Sequence, residues 1–150
     1  MNNTVEIKFI KTHEDAILPE RKHNDPLTGD SGYDLTAVED CIIPARGGCV
    51  VPVGLKLGYI TPGNWIRIES RSGLQFKNNL SAFNGIIDAQ YRGDLGAKIN
   101  NNSDVDYQVK KGDRIAQLVF QKVERAEFIE VQELPGSGRG TGGFGSTGRT

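Results

Sequence analysis

Three stretches of this chain combine residue types that suit chemistry on a phosphorylated substrate. The first is Gly138-Arg139-Gly140-Thr141-Gly142-Gly143-Phe144-Gly145-Ser146-Thr147-Gly148. Glycines let backbone N–H groups come close to phosphate oxygens, hydroxyls add donors, and an arginine grips phosphate through two parallel hydrogen bonds. The stretch is not a Walker loop, because no lysine precedes Ser146-Thr147 and no strand-to-helix context follows. Phe144 in its middle is odd for a linker, and a flat ring among phosphate donors suits a stacked nucleobase. A disordered tail is the competing reading of the same composition.

The second stretch, Glu69-Ser70-Arg71-Ser72-Gly73-Leu74, closes an apolar run. An arginine, two hydroxyls and a glycine at a strand end can form an anion-binding nest; the plainer reading is a surface charge at Arg71 and a turn at Gly73. The third, Asn84-Gly85-Ile86-Ile87-Asp88-Ala89-Gln90-Tyr91-Arg92-Gly93-Asp94, reads as a hairpin turning near Ala89 to Arg92. An Asp three residues before a Tyr places a carboxylate and an aromatic ring on neighbouring parts of one loop, over a sugar and a water.

Elements that could position these groups are β-strands. Nineteen glycines and six prolines punctuate short runs of Val, Ile, Leu and Tyr, a pattern of strands and turns. Strands are expected over 6–10, 33–36, 41–43, 48–51, 55–57, 65–69, 85–88, 94–100, 107–109, 114–120 and 128–131. Many short strands at such spacing imply an all-β sandwich or jelly roll. Ile115, Leu118, Val119, Val123 and Ala126 could instead mark a helical face, but the Gly112-Asp113 turn signal and the β-branched residues favour a strand fed by a hairpin. Residues 1–134 read as one β domain and 135–150 as a glycine-rich arm, seven of whose sixteen residues are glycine.

Composition narrows the function classes. A chain of 150 residues is the size of one domain and can fold without staples. Eighteen basic and 19 acidic residues give a net charge of −1, so no global field draws in nucleic acid or an anionic membrane, and any phosphate site must be local. No apolar run approaches the roughly 20 residues of a membrane span, and no signal peptide is visible, so a cytoplasmic location is expected. Cys41 and Cys49 lack the spacing of a zinc or redox site and read as two free thiols.

Five segments, taken together and in order, resemble the five motifs of the trimeric dUTPases. They are Gly32-Tyr33-Asp34-Leu35, Arg71-Ser72-Gly73-Leu74, Gly85-Ile86-Ile87-Asp88-x-x-Tyr91-Arg92-Gly93, Gly112-Asp113-Arg114-Ile115-Ala116-Gln117-Leu118 and the arm motif from Arg139 to Gly148. The resemblance implies a jelly-roll-like β-clip fold and a homotrimer with shared active sites, the arm closing over a neighbouring site. It implies Mg²⁺-dependent hydrolysis of dUTP to dUMP and pyrophosphate, which limits uracil incorporation into DNA and supplies dUMP for dTMP synthesis.

By the same resemblance, Asp34 helps hold Mg²⁺, usually through water, and Arg71, Ser72 and Gly73 bind phosphate with help from Gln117. Asp88 orients and deprotonates the attacking water. Tyr91 packs under the deoxyribose, where a 2′-hydroxyl would be tested. Asn84, Gly85 and Ile87 belong to the uracil-reading segment, with backbone groups of Gly85 facing the base. Arg139, Gly145, Ser146 and Thr147 hold the terminal phosphates while Phe144 stacks on uracil. Some relatives carry Asn six residues before the catalytic Asp, where this chain has Ala82, with Asn84 two residues on.

The nearest rival is a dCTP deaminase, a family that places a catalytic Glu ten residues after the third-motif Asp. Lys98 stands there, and a cation cannot act as that carboxylate. A catalytically silent nucleotide-gated module and a purely structural jelly roll are rivals of other classes. Intact Asp34 and Asp88 argue against lost catalysis in the first, which stays open as a second role, and the second has no need of five polar, glycine-rich motifs.

Overall fold

The computed structural model describes residues 4–83 and 85–150. Ten strands and one short helix follow in the order β1 Ile7–Lys11, β2 Tyr33–Thr36, β3 Cys41–Ile43, β4 Gly48–Ile60, β5 Asn64–Glu69, α1 Ser72–Asn78, β6 Leu80–Ala82, β7 Ile86–Ile87, β8 Asp94–Asn101, β9 Tyr107–Val109 and β10 Arg114–Lys122. They form one four-stranded sheet ordered β1-β4-β8-β6, a second ordered β2-β10-β5-β7, and the two-stranded pair β3-β9. The all-β fold class expected from the punctuated strands is the one observed.

Alternation drives the layering. Along β4, Val51, Val53, Leu55 and Leu57 are buried, and along β8, Leu95, Ala97, Ile99 and Asn101 are. In the second sheet Ile66 and Ile68 of β5 and Ile115, Ala116 and Leu118 of β10 turn inward to share that core. Along β4, β5 and β8 every second side chain is hidden, as a sheet with one covered face requires, whereas β10 buries the adjacent Ile115 and Ala116 where its pairing with β2 shifts register. Thr36 and, more deeply, Asn101 are the buried polar side chains among the described residues. The Asn101 amide donates to the carbonyls of Ile43 and Val105, and its oxygen accepts from Ser103, so the group is satisfied.

Four expectations need correction. The separate strands expected at 48–51 and 55–57 are one 13-residue strand, β4. The pairing with β8 shifts register between Pro52 and Lys56, and Gly54 at φ +66° absorbs the bend, so the proline sits at an irregularity instead of ending the strand. The expected turn at Gly73 lies inside α1, whose seven residues are too few and too exposed to print a helical period. Asn79, at φ 58°, ends the helix in the left-handed conformation.

The third stretch is not a hairpin. β7 pairs with β5 in one sheet whereas β8 pairs with β4 and β6 in the other, so residues 88–93 carry the chain across the sandwich. Finally, no strand forms at 128–131. Phe128, Ile129 and Val131 are exposed and pair with no strand of the same chain, and an extended segment without a ladder is not a stable strand.

Candidate active site

The second sheet brings three polar residues into one row. β10 lies between β2 and β5, with Gln117 opposite Asp34 on one side and Glu69 on the other. The chain leaving β5 at Glu69 therefore delivers Ser70 and Arg71 beside Asp34. Gln117 Nε2 donates to the Ser70 carbonyl at 2.8 Å, and Ser70 Oγ accepts from the Ala82 N–H at 2.9 Å. Arg71 Nη1 donates to the Arg114 carbonyl at 3.1 Å.

Asp34 is the hub. Its Oδ1 lies 3.0 Å from Arg71 Nε and its Oδ2 3.2 Å from Arg114 Nη1, while its backbone N–H donates to the Glu20 carbonyl. The Asp34 side chain is only 15% exposed, so two guanidinium groups supply the compensation that a largely buried carboxylate requires.

A cleft of about 410 Å³ opens over this hub. Arg71, Ser72, Gly73, Gln117 and Asp34 line it, as do Arg114 and Gly32. A Cβ at Gly32 would displace the Gln117 amide from its bond to the Ser70 carbonyl, so the bare position lets that amide sit where it does. At Gly73 a Cβ would meet nothing within 4 Å, so its bare backbone faces open space. A glycine with no internal reason to be one fits close approach of an outside group.

The remaining part of the lining was not legible from the motifs. It consists of Lys22, His23, Asp30 and Ser31, from the loop ahead of β2. The His23 N–H donates to Asp30 Oδ2 at 3.0 Å and holds the Asp30 carboxyl below the usual range. The one available signal was a pair of basic residues and a polar glycine-containing run just before Gly32-Tyr33-Asp34.

The remaining expected site residues lie elsewhere. Asp88 is exposed, and its side chain has no hydrogen bond or ion pair among the described residues. It starts a turn closed by the Tyr91 N–H donating to its carbonyl at 3.0 Å. The Tyr91 hydroxyl donates to the Asp94 carbonyl at 2.8 Å, and Gly93 leaves room for the tyrosine ring, which a Cβ would strike. Ile87 is buried in the core opposite Ile66, so only its backbone is available to a ligand. The Gly85 N–H donates to the Phe83 carbonyl and its own carbonyl accepts from Ile68 N–H. Asn84 lies outside the described residues.

In the arm, successive turns join Arg139 to Gly142, Gly143 to Ser146 and Gly145 to Gly148. Phe144 stands fully exposed at φ 50° beside Gly145 at φ 84°. Arg139, Phe144, Gly145, Ser146 and Thr147 do not line the cleft, and neither do Asp88 and Tyr91. One chain thus brings together Asp34, Arg71, Ser72, Gly73 and Gln117, and keeps the Asp88 turn and the arm apart from them.

A two-sheet β scaffold whose strand ends hold a cationic, hydroxyl- and glycine-lined cleft has the donor set that phosphate oxyanions call for. A family model described as dUTPase matches residues 15–148. A deoxyuridine 5′-triphosphate nucleotidohydrolase of Arabidopsis thaliana is 43% identical over 141 residues, covering 94% of this chain and 82% of the relative. One from Helicobacter pylori is 40% identical over 146 residues, covering 96% and 97%. The Staphylococcus bacteriophage 80alpha dUTPase with dUPNHPP superposes with a TM-score of 0.83 at 30% identity, covering 99% of this chain and 100% of that one. A mutant dUTPase from phage phi11 of S. aureus, described with a structural Mg(II) ion, gives 0.75 at 28% identity, covering 89% and 100%. The chain belongs to the dUTPase family, and dUTP hydrolysis is the activity that goes with it.

Proposed function

We propose that this chain acts as a homotrimer that hydrolyses dUTP to dUMP and pyrophosphate with Mg²⁺. The observation that carries the reading is the cleft where Arg71, Ser72, Gly73 and Gln117 converge around Asp34. In it the triphosphate takes its charge-assisted contacts from Arg71 and Arg114 and its hydroxyl and backbone donors from Ser72 and Gly73.

The donor set fits magnesium in one mode. No group of three or more His, Cys, Asp or Glu that could hold a metal exists among the described residues, and both Asp34 oxygens face arginines. Mg²⁺ keeps several waters and takes substrate phosphate oxygens, so Asp34 would reach it through water. The ion supplies neutralisation of the charge that grows on the leaving group.

Asp88, exposed and free of partners among the described residues, is available to take a proton from the attacking water, worth typically about 10² to 10⁴ in rate. Tyr91, locked by its bond to Asp94, offers a fixed ring against the sugar. Arg139, Ser146 and Thr147 add phosphate donors from the arm, and Phe144 covers the base.

That Asp88, the arm and the cleft lie apart in one chain supports sites assembled between chains: the β domain of 1–134 supplies the cleft and the Asp88 turn, and the arm of 135–150 serves a neighbour. Incubation with dUTP, dTTP, dCTP and UTP plus Mg²⁺, followed by chromatography, tests the reading. Conversion of dUTP alone to dUMP and pyrophosphate is expected, and orthophosphate release or comparable turnover of dCTP would refute it.

A further inference from the structure

The cleft has a part of its lining that the five motifs do not contain. Glu20 bridges to Asp34, and from there residues 21–31 fold into a loop tied at several levels. Arg21 lies over the Tyr33 ring at 5.0 Å and donates through Nη1 to the Asp30 carbonyl at 2.9 Å. His23 and Asp30 are clasped from both sides, the His23 N–H to Asp30 Oδ2 at 3.0 Å and the Asp30 N–H to the His23 carbonyl at 2.9 Å. At the tip, Asp25 Oδ1 accepts from the N–H groups of Leu27 and Thr28 at 2.9 and 2.8 Å. Gly29 is obligatory, since a Cβ there would lie 2.5 Å from the carbonyl oxygens of both Asp25 and His23.

None of these ties uses the side chain of Lys22. It is exposed, lines the same cleft as Arg71, Ser72 and Gly73, and has no ion pair or side-chain hydrogen bond among the described residues. Of the other cations of the cleft, Arg71 and Arg114 share the Asp34 carboxylate and His23 faces Asp30. Lys22 is therefore the cation of the cleft that no carboxylate of the described residues holds, carried on a loop whose ordering cost has already been met within the fold.

We propose that Lys22 is a substrate-binding residue that takes the phosphate chain at the end away from the sugar, so that the cleft grips the leaving pyrophosphate through both parts of its lining. The inference rests on the dUTP-hydrolysing reading above. The end follows from that reading, which gives the sugar to Tyr91 and the reacting phosphate to Asp88 and leaves the rest of the phosphate chain to the cleft of Arg71, Ser72 and Gly73. An ammonium binds phosphate as a point charge, in the bound nucleotide as in the transition state, so its loss acts mainly on binding.

Lys22→Ala should bind inorganic pyrophosphate on the order of 10-fold more weakly by calorimetry while binding dUMP as the wild type does. It should raise KM for dUTP by a similar factor with kcat within about twofold. Lys22→Arg should recover most of the loss. Because Lys22 is exposed and makes no contact the fold uses, the thermal midpoint should not move. Lys98→Ala, which removes an exposed lysine of β8, is the control for bulk charge and should leave pyrophosphate affinity unchanged. Unchanged pyrophosphate affinity in Lys22→Ala, an equal loss in Lys98→Ala, or weakened dUMP binding would each overturn the proposal. Wild-type protein that binds pyrophosphate but leaves dUTP intact would sink the hydrolase reading, and the Lys22 comparison would still decide the pyrophosphate site.

Discussion

Arg71 Nε stands 3.0 Å from Asp34 Oδ1, which ties the segment after β5 to β2 across the intervening β10. With Arg114 on the other oxygen, one carboxylate orients both guanidinium groups that line the cleft. Asp34→Asn keeps the shape but removes the charge they face. It should lower stability by about 1 to 3 kcal/mol in urea titrations, because hydrogen bonds to a partly buried charge are lost. It should also raise the Mg²⁺ concentration needed for half-maximal dUTP turnover. An unaltered magnesium requirement would leave Asp34 with the arginine-orienting role alone.

Asp88 has no partner to share its charge among the described residues, so its replacement should be cheap for the fold and costly for the reaction. Asp88→Asn should keep nucleotide affinity and lose at least about 10²-fold in turnover, since the amide is nearly isosteric but not basic. Single-turnover kinetics on dUTP measure this, and near-normal turnover would show that another group activates the water.

Burial, followed by the neighbouring Cys49, pushes the Cys41 thiol up from 9.0 to about 11. The folded protein therefore keeps a proton that the unfolded chain gives up near 9.0. This group's contribution to stability is complete below that pH and is lost as pH rises through about 11. At pH 8, alkylation of Cys41 in the native protein should run on the order of 100-fold slower than in urea, as read by mass spectrometry of labelled peptides. Equal rates would mean that the β3 thiol is open to solvent as a thiolate.

Truncation after Pro135 separates a passive tail from a working arm. The arm's hydrogen bonds between backbone groups run within itself, and its residues are exposed apart from the half-buried Gly142 and Gly143, so the fold and the trimer should survive. Activity should not, because Arg139, Phe144, Ser146 and Thr147 leave together with the lid they form. Mixing this protein with Asp88→Asn under subunit exchange should restore dUTP hydrolysis, since some sites would pair an intact Asp88 with an intact arm. Mixed trimers, verified by native mass spectrometry, that stay inactive would place arm and Asp88 in one chain's own site.

The sequence by itself determined the strands at 33–36, 41–43 and 107–109, because short runs rich in β-branched and aromatic residues between turn signals are local properties. It also determined the motif residues of the cleft, Gly32, Asp34, Arg71, Ser72, Gly73, Arg114 and Gln117, through segments whose order carries the family resemblance, but not Lys22, His23, Asp30 and Ser31. It could not reveal α1, which is two turns long, contains Gly73 and buries nothing completely. Nor could it decide that β7 and β8 belong to opposite sheets. That depends on Ile87 packing beside Ile66 while Leu95, Ala97 and Ile99 enter the core from the other layer, contacts between residues far apart in the chain. The same holds at the site. Only the register of β10 between β2 and β5 puts Asp34 within reach of Arg71, and only the closed loop of 21–31 turns Lys22 toward them, because pairing across a sheet is set by the burial of whole faces and not by any segment alone.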